Sequence, residues 1–229
     1  QAADLVISKD NNDIERKFWK DDFSVDSSSA YTGGSVTVNT TTKELTRTDI
    51  NLHHDKFRIN ASGGTIEFTR KEYTTTNYYN YVAIVFQDDG NNYAGAILFS
   101  FCGSNILQRG MFILSQNQPL NTYYSNYTYK SGTLNYSNSQ NESYIKIDIT
   151  DTSISAYCDQ WTETPNPKYT GSLGTEFFGK KFYIRELYGP TTPTLKDFIR
   201  ITPSISYADD FTTDTTERYQ PVLGTVAYD

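Results

Sequence analysis

The chain has few cysteines, no long apolar run and no excess of positive charge. Only two cysteines occur in 229 residues, which excludes the small disulfide-stapled folds. Lysine and arginine total 20 against 27 acidic residues. Because a negatively charged protein repels phosphate backbones, we do not expect nucleic acid as a partner. No apolar run is long enough to span a bilayer, so we expect no membrane insertion.

A helical periodicity is also missing, and strand patterns take its place. Residues 144–149 alternate Ile with Lys and Asp, whereas residues 81–86 are apolar on both faces, as in a strand between two layers. The polar turn 88–92 reverses the chain into residues 93–101. Further strands are expected at 65–68, 154–157, 182–187 and 195–201. Many short strands joined by polar turns predict an all-β, two-sheet antiparallel jelly-roll sandwich.

A sequence segment near the start of the chain, which we call the phrase, recurs in similar form near its end. D-D-F-S-V-D-S-S-S-A-Y at 21–31 recurs as D-D-F-T-T-D-T-T-E-R-Y at 209–219. Such a long period is that of a whole domain rather than of a solenoid repeat. We therefore expect residues 1–20 to end a preceding unit or linker and 21–203 to form the jelly-roll domain. Residues 204–229 would begin a following repeat or form an exchanged tail strand. The phrase itself is expected to be an entry strand that buries Phe23.

Several of these stretches resemble a known family. The opening D-x-F resembles the start of concanavalin A-like, laminin-G-like jelly-roll domains. A-I-V-F-Q-D-D-G-N-N-Y-A-G-A-I-L-F at 83–99 is similar to their central hairpin, and L-K-D-F-I at 195–199 resembles their closing strand. The resemblance covers about residues 21–203. It implies an exterior binding or scaffolding role, since such domains recur in surface adhesins, phage tail proteins and carbohydrate-binding modules.

Residue patterns for catalysis are missing. Glucanases of the same superfamily carry E-x-D-x-x-E on one strand, so that alternate carboxylates share a face. Glu67 and Glu72 are an odd number of positions apart and point to opposite faces of a regular strand. The adjacent His53 and His54 also point to opposite faces, which spoils shared metal ligation. The sequence therefore predicts that the chain is not an enzyme.

Oxygen-bearing side chains suggest a structural calcium site. Asp21, Asp22, Asp26 and Asp197 lie in the opening and closing strands, which are often neighbours in jelly rolls. Carboxylates from several segments are the ligands that Ca²⁺ prefers. Ordinary turn chemistry and edge-strand charge are the alternative interpretation. Whether Cys102 and Cys158 form a disulfide stays open, because sequence does not place their Cα atoms.

Aromatic residues give the strongest binding signal. Sugar rings stack on flat aromatic side chains while nearby amides and hydroxyls bind their OH groups. A long polar loop is expected at 116–143, and another at 162–174. The predicted ligand-binding residues cluster before the central hairpin, in the first loop and beside the second: Tyr78, Tyr79, Tyr123, Tyr124, Tyr127, Tyr129 and Trp161.

These observations predict a non-enzymatic extracellular binding domain that recognises a surface glycan, within an adhesin or a phage tail. The alternative is a structural subunit of an extracellular filament or sheath, assembled by exchange of the tail strand 209–226 between neighbours. Either function places the protein outside the cell, at a cell surface or on a virion tail. Its partners would be a glycan together with neighbouring repeats or identical subunits.

Overall fold

The structure of the chain is a computed structural model that describes residues 4–7, 16–71, 81–100, 110–118, 120, 142–150, 153–158, 169–171, 175–187 and 194–203. They form fifteen β-strands and two short 3-10 helices, at Ser28–Ala30 and Thr175–Phe177. Within these residues there is no helix with the length and apolar character needed to cross a membrane.

The strands form two sheets in which every pairing is antiparallel. The first sheet has nine strands: β1 (Asp4–Ile7), β2 (Arg16–Asp21), β4 (Val36–Asn39), β5 (Glu44–Arg47), β7 (Gly64–Lys71), β11 (Glu142–Ile149), β12 (Ile154–Cys158), β13 (Tyr169–Gly171) and β15 (Thr194–Pro203). The second has six: β3 (Tyr31–Thr32), β6 (Asn51–His54), β8 (Tyr81–Gln87), β9 (Tyr93–Ser100), β10 (Gly110–Ser115) and β14 (Lys181–Leu187). The predicted two-sheet antiparallel sandwich is confirmed.

Strand order brings the two ends of the described chain together. The nine-stranded sheet runs β1-β2-β15-β7-β11-β12-β13, with β5 paired to β15 and β4 to β5. Opening strand β2 therefore lies beside closing strand β15, as expected for a jelly roll. Strand β2 begins at Arg16 and is hydrogen-bonded to β15. The sheet therefore includes residues that precede the expected domain start at Asp21. The division of the chain into units stays a prediction.

The main core lies between the sheets and follows from side-chain alternation. On β11, Ile145, Ile147 and Ile149 point inward and are at most 1% exposed. Facing them across the sandwich, β8 contributes Val82, Ile84 and Phe86 to the same cluster. Strand β8 is buried on its other face as well. The expectation that residues 81–86 form a doubly covered strand is confirmed.

A second apolar cluster covers the outer face of the six-stranded sheet. Its buried members come from β8, β9, β10 and β14: Tyr81, Ala83, Val85, Ala96, Leu98, Phe112, Leu114 and Leu187. Tyr93, Leu120 and Tyr183 are partly buried against it. Since these side chains are removed from water on the outside of the sandwich, this sheet is covered on both faces.

A buried ion pair joins the two sheets. Arg70 of β7 donates from Nε and Nη2 to the two carboxylate oxygens of Glu186 on β14, both at 2.8 Å. The two side chains are only 1% and 2% exposed. Arg47 of β5 lies nearby; burial lowers its pKa to about 10, although the negative charge of Glu186 works in the opposite direction.

The first copy of the phrase, at 21–31, forms a turn rather than the expected strand. Strand β2 ends at Asp21, and Phe23 adopts a φ of 55° that breaks the extended conformation. The alternation expected for residues 23–26 is therefore wrong, and Val25 is 43% exposed. Phe23 is nevertheless fully buried in the main core, as predicted. The carboxylate of Asp21 explains the turn, because it accepts a hydrogen bond from the Phe23 backbone N–H at 2.9 Å.

Other sequence-based expectations fall outside the described residues. They include the tail 204–229, Cys102, and most of the expected loops 116–143 and 162–174. Within those loops the structure describes residues 116–118 and 120, the first residues of β11, and strand β13.

Candidate functional site

Three aromatic side chains share the outer surface of the nine-stranded sheet, which we call the aromatic face. Tyr144 on β11 and Tyr157 on β12 have ring centroids 5.9 Å apart, and Tyr144 and Phe198 on β15 have centroids 6.2 Å apart. All three are partly exposed. Tyr144 and Tyr157 point outward because the isoleucines and Ala156 that alternate with them point into the core. Aromatic groups with one open side can stack on a flat ligand.

A β-bulge brings Phe198 onto this face. The pairing of β15 with β7 shifts register between Lys196 and Ile199. Within the shift, Asp197 adopts a φ of 63°, and its N–H donates to the Lys43 carbonyl at 2.8 Å. Bulges re-aim side chains next to the extra residues. Here the result is that Phe198 is partly exposed while Ile199 is fully buried.

A hydrogen-bonded carboxylate lies beside the three rings. Glu67 of β7 accepts from Arg200 Nε at 2.6 Å and Nη2 at 2.8 Å, and from the Tyr144 hydroxyl at 2.6 Å. Burial of Glu67 disfavours its ionised form, but the bonds from Arg200 and Tyr144 outweigh burial and lower its pKa. Burial and the bond to Glu67 raise the pKa of Tyr144. The result is a fixed donor–acceptor network at the base of the face.

The surrounding charges follow from the register of the strands. Lys20, Arg200, Glu67, Lys146 and Tyr157 are paired in one row across five strands. The Lys20 Nζ atom and the Arg200 guanidinium carbon lie 5.7 and 5.8 Å from the centroid of the Phe198 ring, within the range of a cation–π contact. In the next row, Asp148 accepts from the Thr65 hydroxyl at 2.6 Å and lies 3.0 Å from Lys146 Nζ.

This arrangement is better suited to holding a polar ligand than to donating a proton. Rings supply stacking surfaces, and the rows beneath them supply cations, carboxylates and hydroxyls. A general acid of a glycosidase needs a raised carboxyl pKa. The pKa of Glu67 is shifted in the opposite direction, and the Asp148 carboxylate is held by Lys146. The aromatic face therefore offers a ligand stacking surfaces together with fixed hydrogen-bond donors and acceptors.

The four aspartates predicted to bind calcium have different surroundings. Asp21 is 2% exposed, and its second carboxylate oxygen accepts from the Ser27 hydroxyl and, at 2.8 Å, from the Tyr31 hydroxyl. Asp22 and Asp26 accept from Ser24 and Ser28, and these bonds lower the pKa of each carboxyl. Asp197 is exposed on the bulge of β15.

No group of three acidic, histidine or cysteine residues that could hold a metal ion occurs among the described residues. The oxygens of Asp21 already accept from three donors of its own turn. In the described part of the chain, the oxygen-rich pattern in the sequence thus corresponds to turn chemistry, and calcium binding stays a prediction.

The predicted sugar-binding residues Tyr78, Tyr79, Tyr123, Tyr124, Tyr127, Tyr129 and Trp161 all lie outside the described residues. Their role stays a prediction. The opposite orientation expected for the two histidines is seen: His53 stacks on Tyr183 at 4.6 Å on the outer side of its sheet, while His54 contacts Trp19 and Tyr31 of the core.

The aromatic face was missed by the sequence-based search. Tyr144 and Tyr157 could have been found, since each occupies an outward position of an alternating strand and only a few polar residues separate the two strands in the sequence. Phe198 carried no such signal, because the bulge that turns it outward is not visible in the order of residues.

Comparison with known proteins extends the structural result. No family model and no curated protein matches the sequence. Solved structures do match. The Emp46p carbohydrate recognition domain in its metal-free form gives a TM-score of 0.57 at 10% identity, over 89% of this chain and 96% of that one. The Bacillus licheniformis β-glucanase gives 0.51 at 11% identity, over 81% and 97%. The apo Crh5 transglycosylase gives 0.50 at 15% identity, over 82% and 85%.

These matches correct one prediction from the sequence and confirm another. The prediction that the chain is not an enzyme is overturned, because a β-glucanase and a transglycosylase have this fold. The missing E-x-D-x-x-E spacing was too narrow a criterion for excluding enzymes. At such low identity the likeness is one of fold alone. With two antiparallel sheets, and with a carbohydrate recognition domain and a β-glucanase among its structural neighbours, this chain has the concanavalin A-like jelly-roll fold.

Proposed function

We propose that the chain binds a carbohydrate on the aromatic face. The observation that carries the proposal is the placement of Phe198, Tyr144 and Tyr157 next to the Glu67–Arg200 pair. Apolar C–H faces of a sugar would lie on the rings, while its hydroxyls exchange hydrogen bonds with the charged row. The fold supports the proposal, because one structural neighbour is a carbohydrate recognition domain.

The network beneath the rings gives the proposed site its rigidity. Both ends of Tyr144 are fixed, since its ring lies between Tyr157 and Phe198 and its hydroxyl is bound to Glu67. A side chain that is already held loses little entropy when a ligand stacks on it. We therefore expect Tyr144 to position the ligand and the two flanking rings to supply most of the contact area.

This function is tested by substitutions on the aromatic face, each compared with a matched control variant. Wild-type protein is screened on a broad glycan array, and affinity for the best glycan is measured by calorimetry. Phe198→Ala and Tyr157→Ala should each weaken binding about tenfold, equivalent to about 1.4 kcal/mol. Tyr183→Ala removes a tyrosine of similar exposure from the other sheet and should leave affinity unchanged. Binding that withstands both aromatic-face substitutions would contradict the proposal, as would the absence of any glycan ligand.

The loop tyrosines form a separate proposed site. Replacing Tyr124, Tyr127 and Tyr129 with Ala tests it on the same glycan. If the loop variant loses binding while the aromatic-face variants keep it, the binding site lies in the loop and not on the aromatic face. Because glucanases have this fold, the same samples should be assayed for release of reducing sugar from β-glucans.

We also propose that this binding occurs outside the cell, in a surface adhesin or a phage tail protein. The proposal rests on the acidic, threonine- and tyrosine-rich composition and on the family resemblance. A structural calcium ion belongs to the same proposal. Ca²⁺ should raise the melting temperature and EDTA should lower it; a melting curve that neither changes would remove calcium from the proposal.

A further inference from the structure

The turn at residues 21–31, which we call the Asp-centred turn, is held by side-chain hydrogen bonds. Asp21 accepts from the Phe23 N–H and from the hydroxyls of Ser27 and Tyr31. Two further aspartates support it locally: Asp22 accepts from the Ser24 N–H at 3.1 Å, and Asp26 from the Ser28 N–H at 3.0 Å. The bonds to Asp21 bring Phe23 into the core and hold Tyr31, which is 5% exposed, at the start of β3.

The second copy of the phrase keeps the residue types that make these bonds. The three anchors Asp21, Phe23 and Tyr31 return as Asp209, Phe211 and Tyr219. The supporting aspartates 22 and 26 return as aspartates 210 and 214, and the serines 24, 27 and 28 return as the threonines 212, 215 and 216. A threonine keeps the hydroxyl and the backbone N–H that each serine contributes.

The positions that differ are those whose side chains face solvent. Val25, Ser29 and Ala30 are exposed, and the second copy has Thr, Glu and Arg in their places. Exposure alone does not explain the pattern, since Ser24 and Asp26 are exposed and yet their residue types are kept. What the kept positions share is a hydrogen bond or a buried ring in the turn.

We propose that residues 209–219 encode a second Asp-centred turn, which opens another unit of this same fold. In the described unit, residues 21–31 already occupy the core position of the Phe23 ring and the position of the Tyr31 hydroxyl on Asp21. A second copy therefore requires a second unit, so the neighbour of this jelly roll is a jelly roll of its own kind, joined in tandem. This inference does not depend on the proposed glycan binding.

A graft in the full-length chain tests whether the second copy specifies the turn. One variant carries the residues of the second copy in the first: Ser24→Thr, Val25→Thr, Ser27→Thr, Ser28→Thr, Ser29→Glu and Ala30→Arg. The matched control has the same new residues with two of them exchanged, so that it carries Ser27→Glu and Ser29→Thr. It places a carboxylate beside buried Asp21 without changing the composition.

The graft should melt within about 3 °C of the parent, while the control should melt at least about 6 °C lower. Tyr31→Phe removes only one hydroxyl from the turn. It should lower the melting temperature by about 2–4 °C in both the parent and the graft. A graft as unstable as its control would overturn the proposal. So would a graft in which Tyr31→Phe has no effect, because the turn would then be unformed.

Light scattering distinguishes a tandem unit from an exchanged tail. The 229-residue chain should be monomeric, since residues 209–219 would belong to a following unit. Head-to-tail polymers that disperse on Phe211→Ala would overturn the tandem arrangement in favour of strand exchange.

Discussion

Strand β7 carries an arginine–glutamate pair on each of its two faces, in opposite surroundings. On the inner face, Arg70 and Glu186 are 1% and 2% exposed and join the two sheets. On the outer face, Glu67 and Arg200 are 7% and 39% exposed and lie under the aromatic side chains. Both pairs have two parallel N–H···O bonds of 2.6 to 2.8 Å.

Geometry alone therefore does not determine what an ion pair does. The inner pair is almost fully shielded from solvent, so water does not replace the charge compensation that is lost when one partner is removed. The outer pair is partly hydrated through Arg200, so we expect it to contribute less to stability than the inner pair, while it holds polar groups in place beside partly exposed rings. The same bidentate arrangement serves cohesion inside the sandwich and organisation of the proposed binding face outside it.

Breaking the inner pair should have the largest effect. Glu186→Ala removes the bidentate carboxylate partner of Arg70 between the sheets and should lower the free energy of unfolding by about 3–5 kcal/mol, measured by urea denaturation. The matched control is Glu67→Ala, which breaks the outer pair on the same strand and should cost about 1–2 kcal/mol. Replacing both inner partners, Arg70→Met with Glu186→Leu, should recover part of the loss. Equal costs for the two single variants would refute the distinction between the faces.

A comparable contrast is expected within the Asp-centred turn. Phe23 is fully buried, so Phe23→Ala should cost about 3–5 kcal/mol. Val25 lies two residues further on and is 43% exposed, so Val25→Ala should change stability by less than about 0.5 kcal/mol. Phe211→Ala should also cost little, because its partners would lie in another unit. Thermal melting of the three variants decides the matter: a large loss for Phe211→Ala would mean that the tail is packed into this domain.

The same faces show how far the sequence was informative. Residues 144–149 alternate and residues 81–86 do not, which predicted one singly and one doubly covered strand, and both were confirmed. Side-chain alternation follows directly from strand geometry, so it is visible in the order of residues. The inner ion pair was not predicted, because it depends on which strands face each other across the sandwich.

The candidate site was predicted less well than the fold. Aromatic residues are densest in the predicted loops, so the binding site was predicted there. The aromatic face instead takes one ring from each of three strands. Its assembly depends on the β15–β7–β11–β12 order and on a bulge, and neither is encoded by a local pattern. The phrase at 21–31 was found, but the alternation of Phe23 and Val25 with polar residues suggested a strand and hid a turn that depends on one buried carboxylate.

Acidification should affect the outer pair through Glu67. Its pKa is lowered in the folded state, so its contribution to stability is fully present above the ordinary value of 4.5 and is lost as the pH falls below that. Glu67→Gln removes this titration. The difference in unfolding free energy between parent and variant, measured by urea denaturation from pH 6 to pH 3, should shrink toward low pH. A difference that is constant across this range would show that Glu67 keeps its ordinary pKa.

The smallest effect on stability should come from Arg200→Lys, which separates organisation of the face from cohesion. Lysine keeps the positive charge beside Glu67 and Phe198 but cannot form two parallel bonds to one carboxylate. Because Arg200 is 39% exposed, unfolding free energy should fall by less than about 1 kcal/mol. Glycan affinity should fall by about three- to tenfold, since Glu67 would no longer be fixed under Tyr144.

The control is Lys146→Arg on the next strand but one, which also exchanges one cation for another and has no bidentate partner to lose. Calorimetry measures the glycan affinity of both variants. If Arg200→Lys binds the glycan as tightly as Lys146→Arg does, the outer pair is not part of the binding site.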